Sequence, residues 1–224
     1  MRIKRQLRYL PIIPARAGSV RLPGKNMRLL SGIPLIGHSI NYAKENGFQN
    51  LVVTTNDNEV ENYTLQEGIN IVKRPDEIAG PHEPTITALQ HVLGQLKEKY
   101  QAVILLQPTN PLRPKELLKE AIAQFEEGDY DSLMTVTRSD KKLGKIKDNT
   151  FVPYNYTMGQ RSQDIEPLYY ENGLLYIIKT EIIMAGKLLG DNNFPFIIDH
   201  PYAEIDIDTL ADFKKAEAYL KIDF

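Results

Sequence analysis

The stretch that decides the fold is Ala102-Val103-Ile104-Leu105-Leu106, which is apolar at every position. A continuous apolar run of this length is typical of a β-strand covered on both faces, as in a parallel sheet. Two further short apolar runs, residues 9–14 and 51–55, are also predicted to be strands. Because Pro11 cannot donate a ladder hydrogen bond, we expect a central strand to start no earlier than about residue 12.

Helical patterns separate these strands. Apolar residues recur at helical spacing at Ile86, Leu89, Leu93 and Leu96, and again at Leu117, Ala121, Ile122 and Phe125, after a Pro114 that suits a first turn. The alternation of strands and helices predicts an α/β fold with a doubly wound, mostly parallel sheet and helices on both faces. Ligands of such sheets bind at the carboxyl ends of the strands, so the loops there are the expected location of a site.

The alternation is interrupted between residues 139 and 170 by a polar stretch that contains Lys and Tyr. Such a long loop is unusual in a compact domain, so we interpret it as an insertion, either a lid or a dimerisation arm, within a single domain of residues 1–224. The core pattern returns in residues 174–178. A terminal helix is predicted after Thr209, because Asp212 three residues later forms a capping-box-like pair with it.

The composition is that of an ordinary globular protein. The 224 residues are 42% hydrophobic and 25% charged with a net charge of −2, so neither disorder nor a basic nucleic-acid-binding surface is expected. No apolar run reaches the roughly 18 residues that span a bilayer, and residues 1–8 lack the apolar stretch of a signal peptide. We therefore expect a cytoplasmic protein with no membrane or nucleic-acid partner. The absence of cysteine excludes disulfides, Cys-ligated metal centres and thiol catalysis.

The loop after the first strand is rich in glycine and basic residues. Gly18 and Gly24 permit close approach of backbone N–H groups to an anion. Arg16, Arg21 and Lys25 supply positive charge for a polyphosphate. The glycine spacing is not that of a P-loop, and the loop has no GxGxxG motif. Position alone supports a phosphate-binding loop and a solvated surface loop about equally.

An acidic run near the end of the chain reads Glu204-Ile205-Asp206-Ile207-Asp208. In a strand, residues i and i+2 point to the same face, so Asp206 and Asp208 are expected to converge. Two carboxylates suit Mg²⁺ when water and phosphate oxygens fill its remaining positions. The alternative is that Asp208 only favours the start of the next helix, while Asp206 and Glu204 face solvent.

A segment rich in proline, residues 107–113, follows the most apolar strand and is expected to face the same cleft as the first loop. A proline-defined turn into the next helix would explain most of the same residues. Arg161, in the insertion, can clamp a carboxylate with two hydrogen bonds, although a lone Arg in a polar stretch is more often solvated. The four histidines have no metal-ligand spacing, and no chemistry is assigned to them.

Five ordered motifs, from about residue 9 to the end of the chain, resemble those of the acylneuraminate cytidylyltransferases, the CMP-sialic acid synthetases. The motifs are Ile13-Pro14-Ala15-Arg16 through Leu22-Pro23-Gly24-Lys25-Asn26, Arg74-Pro75, Leu105-Leu106-Gln107-Pro108-Thr109-Asn110-Pro111-Leu112-Arg113, Glu171-Asn172-Gly173 with Tyr176, and Ile205-Asp206-Ile207-Asp208-Thr209. The related CMP-KDO synthetases rank second, because their pattern has Pro at the position of Asn26 and lacks a segment like residues 107–113.

The resemblance implies a Rossmann-like nucleotidyltransferase that transfers CMP from CTP to the anomeric hydroxyl of a nine-carbon α-keto acid sugar and releases pyrophosphate. It also implies Mg²⁺ as cofactor and a homodimer in which the insertion reaches the neighbouring subunit. Catalysis would involve Arg16, Lys25 and Asp208; the nucleotide would contact Ala15, Arg16, Lys25, Asn26, Arg74 and Thr85; the sugar would contact Gln107, Arg161 and Tyr176; and Mg²⁺ would be held by Asp206 and Asp208. Arg161 would take the carboxylate of the sugar.

Three departures from the family pattern leave the sugar open. Val20 stands where relatives usually carry Lys, residues 81–85 replace a small segment containing Asp and Ser, and Tyr170 stands where relatives usually carry Arg. The acceptor would be N-acetylneuraminate or a bacterial relative such as legionaminate or pseudaminate. The competing class is a non-catalytic nucleotide-binding protein on the same fold, which would have no need of the paired acids. Their retention beside the basic loop favours the enzyme.

Overall fold

The computed structural model describes residues 8–222. The strands are β1 (Tyr9–Pro14), β2 (Leu29–Leu30), β3 (Ile33–Pro34), β4 (Val52–Thr55), β5 (Asn70–Lys73), β6 (Ala102–Leu105), β7 (Ser132–Ser139), β8 (Gly144–Lys147), β9 (Thr150–Pro153), β10 (Leu168–Lys179) and β11 (Asn193–Ile197). The helices are α1 (Leu35–Glu45), α2 (Asn58–Gln66), α3 (Thr85–Gln95), α4 (Leu117–Gly128), α5 (Thr180–Met184) and α6 (Leu210–Tyr219). The three strands predicted from apolar runs and the three predicted helices are therefore present.

Seven strands form the main sheet, in the order β11-β7-β10-β6-β1-β4-β5. The neighbours β6, β1, β4 and β5 are all parallel, whereas β10 runs antiparallel to both β6 and β7. β11 is parallel to β7, so β10 is antiparallel to the other six strands of the main sheet. The predicted doubly wound, mostly parallel α/β sheet is confirmed.

β1 begins at Tyr9, so the expectation that this central strand starts no earlier than about residue 12 is wrong. The reason lies in its two ladders. Pairing with β6 covers residues 9–12, whereas pairing with β4 begins only at Ile12. Ile12 faces β6, because its carbonyl accepts a hydrogen bond from the Leu106 N–H. Successive residues alternate in direction, so the position without an N–H, Pro11, faces the side where the β4 ladder has not yet begun.

Helices cover both faces of the sheet. Alternate residues of β1 enter different clusters: Ile13 packs with α1 and α4, whereas Ile12 packs with α3 and α5. A third cluster lies beside the sheet, where α6 packs on the first loop and on the segment after β11. α6 begins with the predicted capping box between Thr209 and Asp212. α4 begins at Leu117, so Pro114 precedes the helix rather than forming its first turn.

The insertion is shorter and more ordered than its sequence indicates. β7 continues to Ser139 and β10 starts at Leu168, and between them β8 and β9 form an antiparallel hairpin. The interruption therefore spans residues 140–167. The sequence does not predict this hairpin, because both of its strands are exposed and neither has a buried face that would require alternating apolar and polar residues. Within residues 8–222, no helix is long and apolar enough to cross a membrane.

Candidate active site

Two adjoining cavities lie at the carboxyl ends of the central strands. The smaller, here called the basic cavity, has a volume of about 350 Å³. It is lined by Pro14, Arg16, Ser19, Val20, Arg21, Lys25, Asn26, Arg74, Glu83, Thr85, Gln107, Pro108, Thr109, Asp206 and Asp208. The prediction that the first loop and residues 107–113 face one cleft is thus confirmed for the first three residues of that segment.

The first loop is held in place by its own polar groups. Gly18 and Gly24 have φ angles of 73° and 65°, a backbone region that favours glycine. The guanidinium of Arg16 donates to the carbonyls of Ala17 and Gly18 at 3.2 and 3.3 Å. The Asn26 amide donates to the Arg16 carbonyl at 3.2 Å. These contacts fix a cationic side chain at the carboxyl end of β1, where an anionic ligand is expected.

Lys25 crosses the basic cavity to the acidic run. Its ammonium donates to the carbonyl of Ile207 at 2.8 Å and to Asp208 Oδ1 at 3.0 Å. Arg21 reaches the other oxygen of the same carboxylate, with Nη2 at 2.6 Å from Oδ2. Both oxygens of Asp208 therefore contact cations.

Arg74 brings a buried positive charge to the same cavity. Its Nη2 donates to the Thr54 carbonyl at 3.1 Å, while its Nε is buried and has no partner within the described residues. Burial, followed by the nearby charge of Arg16, lowers the pKa of Arg74 to about 10. Two cations that destabilise each other are an arrangement that a polyphosphate would stabilise.

Residues 205–208 do not form a strand, contrary to the prediction. Burial alternates along the segment as predicted, but its backbone pairs with a side chain and a single backbone group rather than with a neighbouring strand. Asn110 Nδ2 donates to the Ile205 carbonyl at 3.0 Å, and the Ile207 N–H donates to the Thr109 carbonyl at 2.8 Å. Both isoleucines are buried against α6 in the third cluster. The alternation therefore arises because Ile205 and Ile207 are buried, and the side chains of Asp206 and Asp208 are left at the basic cavity.

Asp206 and Asp208 are close enough to interact electrically. Burial raises the pKa of Asp206, and the charge of Asp208 raises it further. A hydrogen bond from Thr109 and the charge of Lys25 act in the opposite direction. The predicted convergence of the two carboxylates on one cavity is therefore present, although no group of three or more His, Cys, Asp or Glu residues within residues 8–222 is arranged to hold a metal ion.

The second cavity, here called the large cavity, has a volume of about 1030 Å³. Gln107 and Asp206 line both cavities, so the two adjoin at these residues. Tyr176 lies on the wall of the large cavity and donates a hydrogen bond to Glu171. Burial, followed by the hydrogen bond and charge of Glu171, raises the pKa of Tyr176, so its hydroxyl stays protonated.

A bulge in β10 shapes the wall of the large cavity. Register with β7 shifts between Glu171 and Tyr176, and Gly173 in this stretch has a φ of 75°. A Cβ at Gly173 would lie 2.7 Å from Asn110 Oδ1, so the motif requires glycine here. Asn110 in turn donates to the Asn172 carbonyl at 3.0 Å. The same amide thus joins the bulge to the acidic run.

Arg113 holds parts of the protein together and does not line the two cavities. It is buried and donates to the Leu174 carbonyl at 2.6 Å, to the Gln107 carbonyl at 2.9 Å and to the Ser39 hydroxyl at 3.1 Å. Burial lowers its pKa to about 10. Ala15 is also buried, and its backbone pairs with β4, so it contributes no side-chain group to either cavity.

Arg161 lies outside both cavities of its own chain and pairs with Asp164, at 2.7 Å from Nε to Oδ2. Tyr170 and Val20 do line cavities, as their place in the motifs indicates. The large cavity also has polar residues that sequence reasoning missed, namely Arg138, Lys141, Asp199, His200 and Lys215. Arg138 lies near the end of β7, Lys141 follows that strand, Asp199 and His200 follow β11, and Lys215 lies on α6. No sequence motif marks these positions.

A cytidylyltransferase family model matches residues 10–222. The chain is 31% identical over 222 residues to an N-acylneuraminate cytidylyltransferase of Streptococcus agalactiae, covering 95% of this chain and 53% of that protein. It therefore spans about half the length of that curated relative. It is 29% identical to the CMP-N,N'-diacetyllegionaminic acid synthase of Legionella pneumophila, covering 96% of this chain and 97% of that protein.

Solved structures agree on the fold. A CMP:2-keto-3-deoxy-manno-octonic acid synthetase complexed with CTP has a TM-score of 0.72 at 18% identity, covering 96% of this chain and 98% of that chain. A 4-diphosphocytidyl-2C-methyl-D-erythritol synthase from Anaerococcus prevotii has a TM-score of 0.70 at 15% identity, covering 97% of each chain. With the family model matched along nearly the whole described chain, the protein belongs to the cytidylyltransferase family.

Proposed function

We propose that the protein transfers CMP from CTP to the anomeric hydroxyl of an acidic nine-carbon α-keto sugar and releases pyrophosphate. The observation that carries this proposal is the junction of the two cavities at Gln107 and Asp206. A triphosphate in the basic cavity and a sugar in the large cavity would meet there. The names of the Streptococcus and Legionella relatives support both the nucleotide and the class of sugar.

The reaction is an in-line displacement at phosphorus. The anomeric oxygen forms a bond to the α-phosphorus, the bond from that phosphorus to the bridging oxygen of the β-phosphate breaks, and the hydroxyl proton passes to solvent water. Arg16 and Lys25 would neutralise charge on the phosphates, because both side chains line the basic cavity. Arg74 and Thr85 would lie at the nucleotide. This chemistry needs orientation and charge neutralisation more than a covalent intermediate.

Asp206 and Asp208 fit a magnesium site in their donor chemistry, since both carboxylates face the basic cavity and interact with each other. We infer that they would hold Mg²⁺ there. When bound, Mg²⁺ would neutralise charge on the leaving pyrophosphate. Asp208 would then exchange part of its contact with cationic side chains for the metal ion.

Gln107 and Tyr176 would contact the sugar, because both line the large cavity. Arg161 would reach a sugar only from a second subunit. A C₂ homodimer is supported by apolar side chains that the insertion exposes, notably Ile146 and Met158, which are 73% and 72% accessible. A cytoplasmic location stays a prediction.

The test is pyrophosphate release from CTP with a panel of acidic sugars: N-acetylneuraminate, N,N'-diacetyllegionaminate, pseudaminate and KDO. Release with one nine-carbon sugar supports the proposal and identifies the acceptor. Release with KDO alone would move the chain to the CMP-KDO type. CTP binding without release for any sugar would favour the non-catalytic alternative.

A further inference from the structure

The two cations on Asp208 are held very differently. Lys25 is 10% accessible and is fixed a second time by the Ile207 carbonyl at 2.8 Å. Arg21 is 67% accessible, and Asp208 is its one hydrogen-bond partner within residues 8–222. An exposed ion pair of this kind contributes little stability. Arg21 is therefore the partner that Asp208 can release.

Packing does not hold the side chain of Arg21 in place. Leu22 on one side of it is buried in the third cluster and anchors the backbone, whereas Val20 on the other side is 79% accessible. Nevertheless Arg21 turns into the basic cavity beside Lys25. Its guanidinium can bind either a carboxylate or a phosphate with the same planar geometry.

We propose that Arg21 exchanges partners when nucleotide binds: it leaves Asp208 for phosphate oxygens of CTP, and this frees Asp208 Oδ2 for a divalent cation. The inference rests on the proposed function for the identity of the nucleotide. Without the nucleotide, the positive charge of Arg21 opposes a divalent cation at Asp208, both by occupying the oxygen and by direct repulsion. With the nucleotide, the phosphates attract Arg21 away, so metal and CTP promote each other's binding.

Replacing Arg21 should move two affinities in opposite directions. In Arg21→Gln, Mn²⁺ should bind the protein alone more tightly by roughly three- to ten-fold, because a positive charge near the carboxylate is removed. CTP in the presence of Mn²⁺ should bind more weakly by roughly ten-fold, because a charge-assisted hydrogen bond to phosphate is lost. Arg21→Lys keeps the positive charge, so its Mn²⁺ and CTP affinities should lie between those of Arg21→Gln and those of the parent protein.

The experiment is a titration of the full chain with Mn²⁺, followed by electron paramagnetic resonance of free Mn²⁺, with and without CTP. Calorimetry gives the CTP affinity. The matched control is Arg8→Gln, which removes an exposed arginine paired with Glu98 at 2.7 Å, outside both cavities. It should change neither affinity.

Tighter Mn²⁺ binding together with weaker CTP binding in Arg21→Gln supports the exchange. An Mn²⁺ affinity of Arg21→Gln that is equal to or lower than that of the parent protein overturns it. So does Mn²⁺ binding that is detectable in neither protein, or a CTP affinity equal to that of the parent. No sugar is present in these titrations. Failure to transfer CMP to any acidic sugar would therefore refute the proposed acceptor without affecting the conclusion drawn from the Mn²⁺ and CTP affinities.

Discussion

Lys25→Met separates the role of Lys25 in binding from its role in folding, because methionine keeps an unbranched apolar stem and removes the ammonium. The ammonium contacts two acceptors on the acidic run, the Ile207 carbonyl at 2.8 Å and Asp208 Oδ1 at 3.0 Å. Hydrogen bonds from a charged group contribute roughly 1.5–3 kcal/mol to stability. Since Arg21 still pairs with Asp208, we expect a total loss near the lower part of that range, about 2 kcal/mol.

For a chain of this size, about 2 kcal/mol corresponds to a fall in Tm of roughly 4–8 °C. CTP affinity should fall roughly 10- to 150-fold, the equivalent of one charge-assisted hydrogen bond to phosphate. Calorimetric titration with CTP and Mg²⁺, well below the Tm, measures the second effect separately from the first.

The matched control is Lys44→Met. Lys44 also donates to one carboxylate and one carbonyl, both on Glu67, at 2.9 and 3.2 Å, and it lines neither of the two cavities. It should lose stability by a similar amount and bind CTP normally. If Lys25→Met bound CTP as tightly as the parent protein, Lys25 would be a structural residue of the acidic run and the phosphate assignment would fail.

Three further outcomes are expected. Asp208→Asn should remove most turnover with CTP and Mg²⁺ while the circular dichroism spectrum stays native; near-normal turnover would exclude Asp208 as a metal ligand. Mixing Arg161→Ala chains with Lys25→Ala chains should restore activity through heterodimers with one intact site, and no recovery after demonstrated subunit exchange would exclude action across the interface. Burial raises the pKa of Tyr42 to about 12, so the stability it contributes is complete below pH 10 and is lost as the pH rises from 10 through 12. Tyr42→Phe cannot ionise, so the difference between its free energy of unfolding and that of the parent, measured in urea, should narrow by about 2–3 kcal/mol over that interval. A difference that stays constant with pH would contradict the raised pKa of Tyr42.

The sheet was predictable because its signals are local. The run at residues 102–106 is apolar throughout since β6 is covered on both faces, and burial of all four β6 residues bears this out. The basic loop was predictable as a feature of the sequence, but only topology could decide between a ligand site and a solvated loop. Parallel β1 and β6 end at the same edge, and this brings Gln107 to Arg16 and Lys25. The structure thereby favours the first of the two readings.

The acidic run shows where local pattern stops being sufficient. Its alternation has the period of a strand, yet the segment makes no ladder, because the Asn110 amide and the Thr109 carbonyl take the backbone groups that a neighbouring strand would have paired. Those partners are nearly a hundred residues away along the chain. A period of two reports which side chains are buried, and it does not report what satisfies the backbone.

The site depends on this substitution of side-chain anchors for a ladder. Asn110 holds the carbonyls of both Asn172 and Ile205, and Gly173 fits against it only without a side chain. One buried amide thus sets the distance between the wall of the large cavity and the carboxylate of Asp206, which borders both cavities. A strand in a ladder would fix its residues relative to the sheet alone. Anchoring through Asn110 instead fixes the acidic run relative to the β10 bulge, so the surfaces proposed to hold sugar and nucleotide are positioned by the same group.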